Sequence, residues 1–135
     1  MRMKKTLQVV GAIIVNDGRI LAVKRGESKN KAVAYKYEFP GGKIESGETP
    51  QSALKRELLE EMDYAIEVGE EFMQVTYEYD EVIVHLTAFI CAPLSERYKL
   101  NEHIDDIWLL PNELNSVEWA PADSDIISKL SKIKF

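Results

Sequence analysis

Between Gly42 and Tyr64 the chain crowds five glutamates, Glu45, Glu48, Glu57, Glu60 and Glu61, around one arginine, Arg56, in a segment reading GGKIESGETPQSALKRELLEEMDY. Glu57, Glu60 and Glu61 stand at i, i+3 and i+4, so at about 100° per residue they share one stripe of a helix. Like charges at that spacing destabilise an isolated helix by roughly 0.2–0.5 kcal/mol per pair, and a divalent cation is the natural group to offset the repulsion. Magnesium prefers oxygen ligands and is commonly held by a few carboxylates together with waters and substrate phosphates. Such an ion neutralises and orients a diphosphate and acidifies a bound water, so the chemistry implied is phosphoanhydride hydrolysis. The bland alternative is a solvated acidic helix face, the usual fate of a charge run. Pro40, the paired glycines and Lys43, which lead into the acids, argue against it.

The elements that must position these acids can be read around them. Thr49 followed by Pro50 is a helix start, with a hydroxyl cap and a proline where a missing N–H costs nothing. The helix should run to about Met62, with Leu54, Leu58 and Met62 as its packing row and the acids on a neighbouring face. Arg56 projects beside Glu60 and can reach back to Glu48, tying the preceding loop to the helix by a charge-assisted bond. Glu45 is read as solvated. Upstream, LQVVGAIIV and RILAVKR flank Asn-Asp-Gly and predict a hairpin. Residues 26–36 are expected as loop, Tyr37 to Phe39 as a short strand, and Pro40 to Gly47 as a loop feeding the helix. Downstream, Ala65–Val68, Phe72–Tyr79 and Val82–Ala92 read as strands, with Asp80 and Glu81 at a turn. Ile107–Leu110 adds a strand, Pro111–Leu114 a helical turn, and Asp123–Lys132 a final amphipathic helix. This order predicts one mixed sheet flanked by helices, an α/β fold.

Composition limits the rest. With 135 residues, 45% of them apolar, and no linker or repeat, the chain suits one globular domain spanning 1–135. A formal charge of −6 argues against a nucleic-acid polymer as partner, while a free nucleotide remains compatible. Cys91 is the single cysteine, which excludes an internal disulfide and reads as a buried structural thiol. No stretch has transmembrane length, and the start MRMKK lacks the apolar core of a secretory signal, so no membrane partner and a cytoplasmic location are expected.

The spacing also resembles a family. Gly42, Glu48, Arg56-Glu57-Leu58, Glu60-Glu61 and Tyr64 stand at the offsets of the Nudix hydrolase signature. The departure is Asp63, where that signature has glycine. A glycine there usually serves as a left-handed helix cap, a conformation that Asp tolerates better than most residues. The resemblance implies a Nudix-type alpha/beta/alpha sandwich and a metal site, with Mg2+ as the ion and Mn2+ as a substitute. Its ligands would be the carbonyl of Gly41 with Glu57, Glu60, Glu61 and the late loop acid Glu102. Glu57, Glu60, Lys43, Arg56 and Glu102 are the implied catalytic set, and Gly42 and Glu48 the structural support. Arg25 is a further phosphate candidate. Asp105 or Asp106 could replace Glu102 in its role, while His103 and His85 read as surface or hydrogen-bonded histidines.

The segment VEWAPADSDII resembles the stretch where MutT-like members of the family place a reader of the base edge, which puts Asp123 in that role. An ionised Asp only accepts hydrogen bonds, so it would suit an amino group on the base. Trp119 or Phe39 could stack on the ring. As local structure alone, Asp123 is equally a helix cap and Trp119 a core residue. The reaction so implied takes a nucleoside triphosphate, a cytidine triphosphate or oxidised dGTP, to monophosphate and pyrophosphate, in a monomer or homodimer. The alternatives are hydrolysis of another nucleoside diphosphate derivative such as ADP-ribose, a non-catalytic nucleotide sensor, and a metal-binding structural domain.

Overall fold

The computed structural model describes residues 3–135; Met1 and Arg2 of the MRMKK start lie outside them. Strand β1 (Lys5–Asn16) turns into β2 (Arg19–Lys24) through Asp17 and Gly18, whose φ values of 52° and 75° give the left-handed pair that a two-residue hairpin needs. Short strands β3 (Tyr37–Glu38) and β4 (Gly41–Lys43) precede helix α1 (Pro50–Met62). The long strands β5 (Ile66–Glu78) and β6 (Val82–Pro93) follow, then β7 (Asp105–Leu109) and the short helix α2 (Ser124–Leu130).

The strands form one mixed sheet in the order β3-β2-β1-β6-β5, with β4 also on β1 and β7 also on β2. β1 and β6 run parallel from Lys5↔Val82 to Ile14↔Cys91, and the other pairings between these strands are antiparallel. A parallel pair demands a long crossover, and here it carries α1. Alternation along β1 sends Val10, Ala12 and Ile14 to the α1 face and Ile13 to the α2 face. The run GAIIV is therefore apolar without a break because both faces of the strand are covered. Against β1 the helix buries Ala53, Leu54, Leu58 and Met62 completely. The architecture is an alpha/beta/alpha sandwich. Among the described residues, no helix is long and apolar enough to cross a membrane.

Three expectations need correction. The stretch Pro40 to Gly47 is not loop throughout: Gly41–Lys43 pairs with Val9–Gly11 as β4, because glycines at 41 and 42 let the backbone come close to β1. Ala65–Val68 and Phe72–Tyr79 are not separate strands but one strand, β5, which crosses its gap by register shifts between Val68, Glu71 and Met73. A Cβ on Gly69 would stand 2.8 Å from the Ile90 carbonyl, so the irregularity sits where a side chain has no room. The last helix begins at Ser124, since Pro121–Asp123 forms a 3-10 turn ahead of it.

Candidate active site

The acids are set out by a helix whose two ends are both built from local sequence. At the start, the Ser52 N–H donates to the Thr49 hydroxyl and the Thr49 N–H to the Ser52 hydroxyl, each at 3.1 Å. At the end, Asp63 adopts φ 50°, ψ 39°, the left-handed cap expected of glycine, and its N–H donates to helix carbonyls. The departure from the family signature thus keeps the geometry of the cap.

Arg56 joins loop to helix. Its Nε and Nη2 donate to the two oxygens of Glu48 at 2.7 and 2.9 Å, and Nη2 also donates to the Lys43 carbonyl at 3.0 Å. Nη1 reaches Glu57 at 2.9 Å and Glu60 at 3.2 Å. Hydrogen bonding to Arg56 holds the Glu48 carboxyl below its ordinary range, and Glu48 in turn, with smaller help from Glu57 and Glu45, raises the guanidinium pKa. Glu45 is exposed, although its N–H donates to Glu48 at 2.8 Å.

The glycines let β4 pass between β1 and the acids. A Cβ on Gly41 would lie 1.9 Å from the Val10 carbonyl, and one on Gly42 would lie 2.4 Å from the carboxyl carbon of Glu57. Glu57 therefore rests directly against backbone.

A cavity of about 630 Å³ opens at this point and contains much of the site predicted from sequence. Arg25, Phe39, Gly41, Gly42, Lys43, Glu57, Glu61, Glu102 and Asp123 all line it. Glu60, Arg56, Glu48 and Trp119 do not. Glu60 is 61% exposed and turns to Arg56. Glu60 and Glu61, adjacent in sequence, are about 100° apart around the helix, so they lie on opposite edges of the stripe, Glu61 towards the cavity and Glu60 towards Arg56. Trp119 instead backs Phe39, ring centroids 4.9 Å apart, and donates its indole N–H to the Leu114 carbonyl at 2.7 Å.

Glu61 is the least ordinary of the acids. Burial first, then the charges of Glu57, Glu102 and Glu38, push its pKa up to about 8, and its buried Oε2 has no hydrogen-bond partner among the described residues. A buried carboxylate oxygen without a donor is costly, and a cation or a proton is what satisfies it. Among the described residues, no three acids, histidines or cysteines converge closely enough to cage a metal by themselves. An ion that keeps waters and takes substrate phosphate oxygens needs no such cage, so the oxygen donors here fit magnesium.

Asp123 is only 5% exposed, stands at the start of α2 and makes no capping hydrogen bond. Its burial, with Glu38 adding and Arg25 opposing, raises the carboxyl well above its ordinary value. Burial thus shifts Asp123 away from the ionised, purely accepting form expected and towards the neutral form, which both donates and accepts.

Sequence reasoning missed Glu38. It lines the cavity, takes Arg25 Nη1 at 3.4 Å and faces His103 Nε2 at 3.0 Å. The available signal is a lone acid between two aromatics in YEF, on the strand that enters the glycines. Of the two readings given for His103, the hydrogen-bonded one holds: its side chain is 5% exposed and pairs with Glu38. His85 is hydrogen-bonded as expected, between Thr76 and Gln74. Asp105 and Asp106 receive the hydroxyls of Tyr37 and Tyr98 and stay outside the cavity wall. Burial pushes the Cys91 thiol up to about 12, an inert structural residue.

The chain is similar to known proteins in both sequence and fold. The NUDIX domain profile matches residues 5–130. The CTP pyrophosphohydrolase of Escherichia coli strain K12 is 33% identical over 130 residues, covering 96% of this chain and 95% of that protein. The 8-oxo-dGTP diphosphatase of the same strain is 33% identical over 129 residues, covering 96% and 99%. The crystal structure of a MutT protein from Methanosarcina mazei Go1 superposes with a TM-score of 0.85 at 27% identity, covering 98% of this chain and 97% of that one.

Proposed function

This chain belongs to the Nudix hydrolase family, and from that premise we propose that it hydrolyses a nucleoside triphosphate to a monophosphate and pyrophosphate, with magnesium as its metal. The observation that carries the proposal is one cavity lined by Glu57, Glu61 and Glu102 together with Phe39 and Asp123. Glu57, Glu61 and Glu102, with the Gly41 carbonyl, would hold the ion. When bound, it neutralises phosphate charge, orients the phosphates and acidifies a water. Glu57 or Glu102 accepts the proton of the attacking water, a role that needs a positioned carboxylate. Arg56 orients Glu57 through its bond at 2.9 Å. Lys43, exposed at the rim, pairs with phosphate oxygens, and Arg25 offers a second positive charge.

Leu7, Val82, Val84 and Leu86 line the same cavity as Phe39 and Asp123. A flat ring suits such apolar lining, and a neutral Asp123 would both donate to and accept from a base edge. That pattern is met by cytosine, whose N3 accepts and N4 donates, and by oxidised guanine. These are also the substrates named for the two curated relatives. Sanitising the nucleotide pool is the role such turnover would serve.

The test is a panel of CTP, modified dCTP, oxidised dGTP, the canonical triphosphates and ADP-ribose, incubated with magnesium and resolved by product. Monophosphate plus pyrophosphate from a cytidine or oxidised guanosine triphosphate is expected. Absence of turnover across the panel, or stepwise release of single phosphates, sinks the proposal.

A further inference from the structure

The segment between β6 and β7 is fastened on two sides. On one side it closes the open end of α1. The Lys99 N–H donates to the Met62 carbonyl at 2.7 Å, the Asn101 N–H to the Glu61 carbonyl at 3.0 Å, and the Asn101 side-chain amide to the Glu60 carbonyl at 3.1 Å. The last carbonyls of a helix have no partner within it, and the cap at Asp63 and Tyr64 takes only those of Leu59 and Leu58. On the other side, the Ile104 N–H donates to the Lys24 carbonyl of β2 at 2.9 Å, and His103 Nε2 meets Glu38 of β3 at 3.0 Å. Glu102 stands between these fastenings and faces the cavity.

We propose that Asn101 and His103 are positioning residues that hold Glu102 against the acids of α1; the inference rests on Glu102 acting at the proposed site. Asn101 bonds the backbone of the same residues, Glu60 and Glu61, whose side chains belong to the acid cluster, so the loop is tied to that end of the helix. Fixing the residue on each side of Glu102 leaves its carboxyl only rotamer freedom, the kind of support that a reactive constellation needs. His103 pairs one ring nitrogen with Glu38 while the other, Nδ1, is buried without a partner among the described residues.

A double-mutant cycle on the full-length chain separates this from a merely structural role. Three readouts are needed: kcat and KM on the triphosphate turned over fastest with magnesium, Mn2+ affinity without nucleotide by electron paramagnetic resonance, and thermal unfolding. Asn101→Ala and His103→Ala should each lower kcat about tenfold with KM nearly unchanged, and weaken Mn2+ binding. His103→Gln, whose amide can still donate to Glu38, should restore most of the loss. In a Glu102→Gln background the same changes should have no further effect on kcat or on Mn2+.

Losses that multiply in that background overturn the inference, as does a Glu102→Gln protein with wild-type turnover and Mn2+ affinity. Should Asn101→Ala fail to fold, the His103 variants complete the cycle alone. Wild-type protein inert on every triphosphate defeats the proposed function instead and leaves the Mn2+ cycle to decide the clamp. Turnover with multiplying losses defeats the clamp only.

Discussion

Arg56 grips both carboxylate oxygens of Glu48, Nε at 2.7 Å and Nη2 at 2.9 Å, and from that anchor reaches Glu57 with Nη1. A lysine cannot make this fork. Arg56→Lys is therefore expected to lower kcat/KM by about 10- to 100-fold, since it frees Glu57 and the loop together. Steady-state kinetics on Arg56→Lys and Glu48→Gln check it, and wild-type rates in both would show the fork to be ornamental.

Gly42 gives a sharper geometric test. A Cβ there would stand 2.4 Å from the Glu57 carboxyl carbon. Gly42→Ala should displace that carboxyl and cost activity by about 100-fold, in keeping with the sensitivity of reactive groups to shifts near 1 Å. Unfolding should change much less, because a side chain rather than the backbone can yield. An active Gly42→Ala enzyme would place Glu57 outside the chemistry.

The three helix acids should not be equivalent. Glu57 and Glu61 line the cavity, whereas Glu60 is 61% exposed and engaged by Arg56. Glu57→Gln and Glu61→Gln should each lower kcat by about 100-fold or more, and Glu60→Gln by clearly less, with all three folded by circular dichroism. Equal losses would mean that Glu60 swings inward when substrate binds.

Stability should depend on pH through Glu61. Burial, then Glu57, Glu102 and Glu38, raise its pKa from an ordinary 4.5 to about 8. With a raised folded-state pKa the native protein binds more protons, so this contribution is full below the unfolded value and is lost as pH rises through the folded one. Asp123, raised chiefly by burial, acts in the same direction. Glu48, lowered by its hydrogen bond to Arg56, acts oppositely and destabilises only as pH falls below its ordinary value. Calorimetry in chelator should find a lower Tm at pH 8 than at pH 5, and Glu61→Gln should flatten the fall. An unchanged slope in that variant refutes the assignment.

Asp123→Asn should preserve most of kcat/KM on the preferred base, because an amide reproduces the donor and acceptor of a neutral carboxyl. Asp123→Ala should lose about 10-fold or more, as expected where a buried polar contact to substrate is removed. Similar losses in both variants would argue for an ionised Asp123.

Much of this was legible before any coordinates. Caps, turns and the reach of Arg56 to Glu48 are events within a few residues, so Thr49-Pro50, Asp17-Gly18, Asp63 and the box spacing could be read directly. Strand β4 was missed because it is made by close approach to β1, not by β-propensity of its own. The stripe of three acids was read correctly as a helix face but not as a face divided between a cavity and solvent. That division depends on where β4 and the loop carrying Glu102 lie against α1.

The sequence by itself determined the family and the box of acids carried on α1, because helix periodicity and capping fix which side chains travel together over short range. Tertiary structure decided which residues line the cavity: Glu38, His103 and Glu102 join Glu57 and Glu61 there from distant segments, and Trp119 is kept behind Phe39. It also shifted the carboxyl pKa values of Asp123 and Glu61 upward. Ionisation answers to burial and to neighbouring charge, and both are properties of what the fold assembles around a residue.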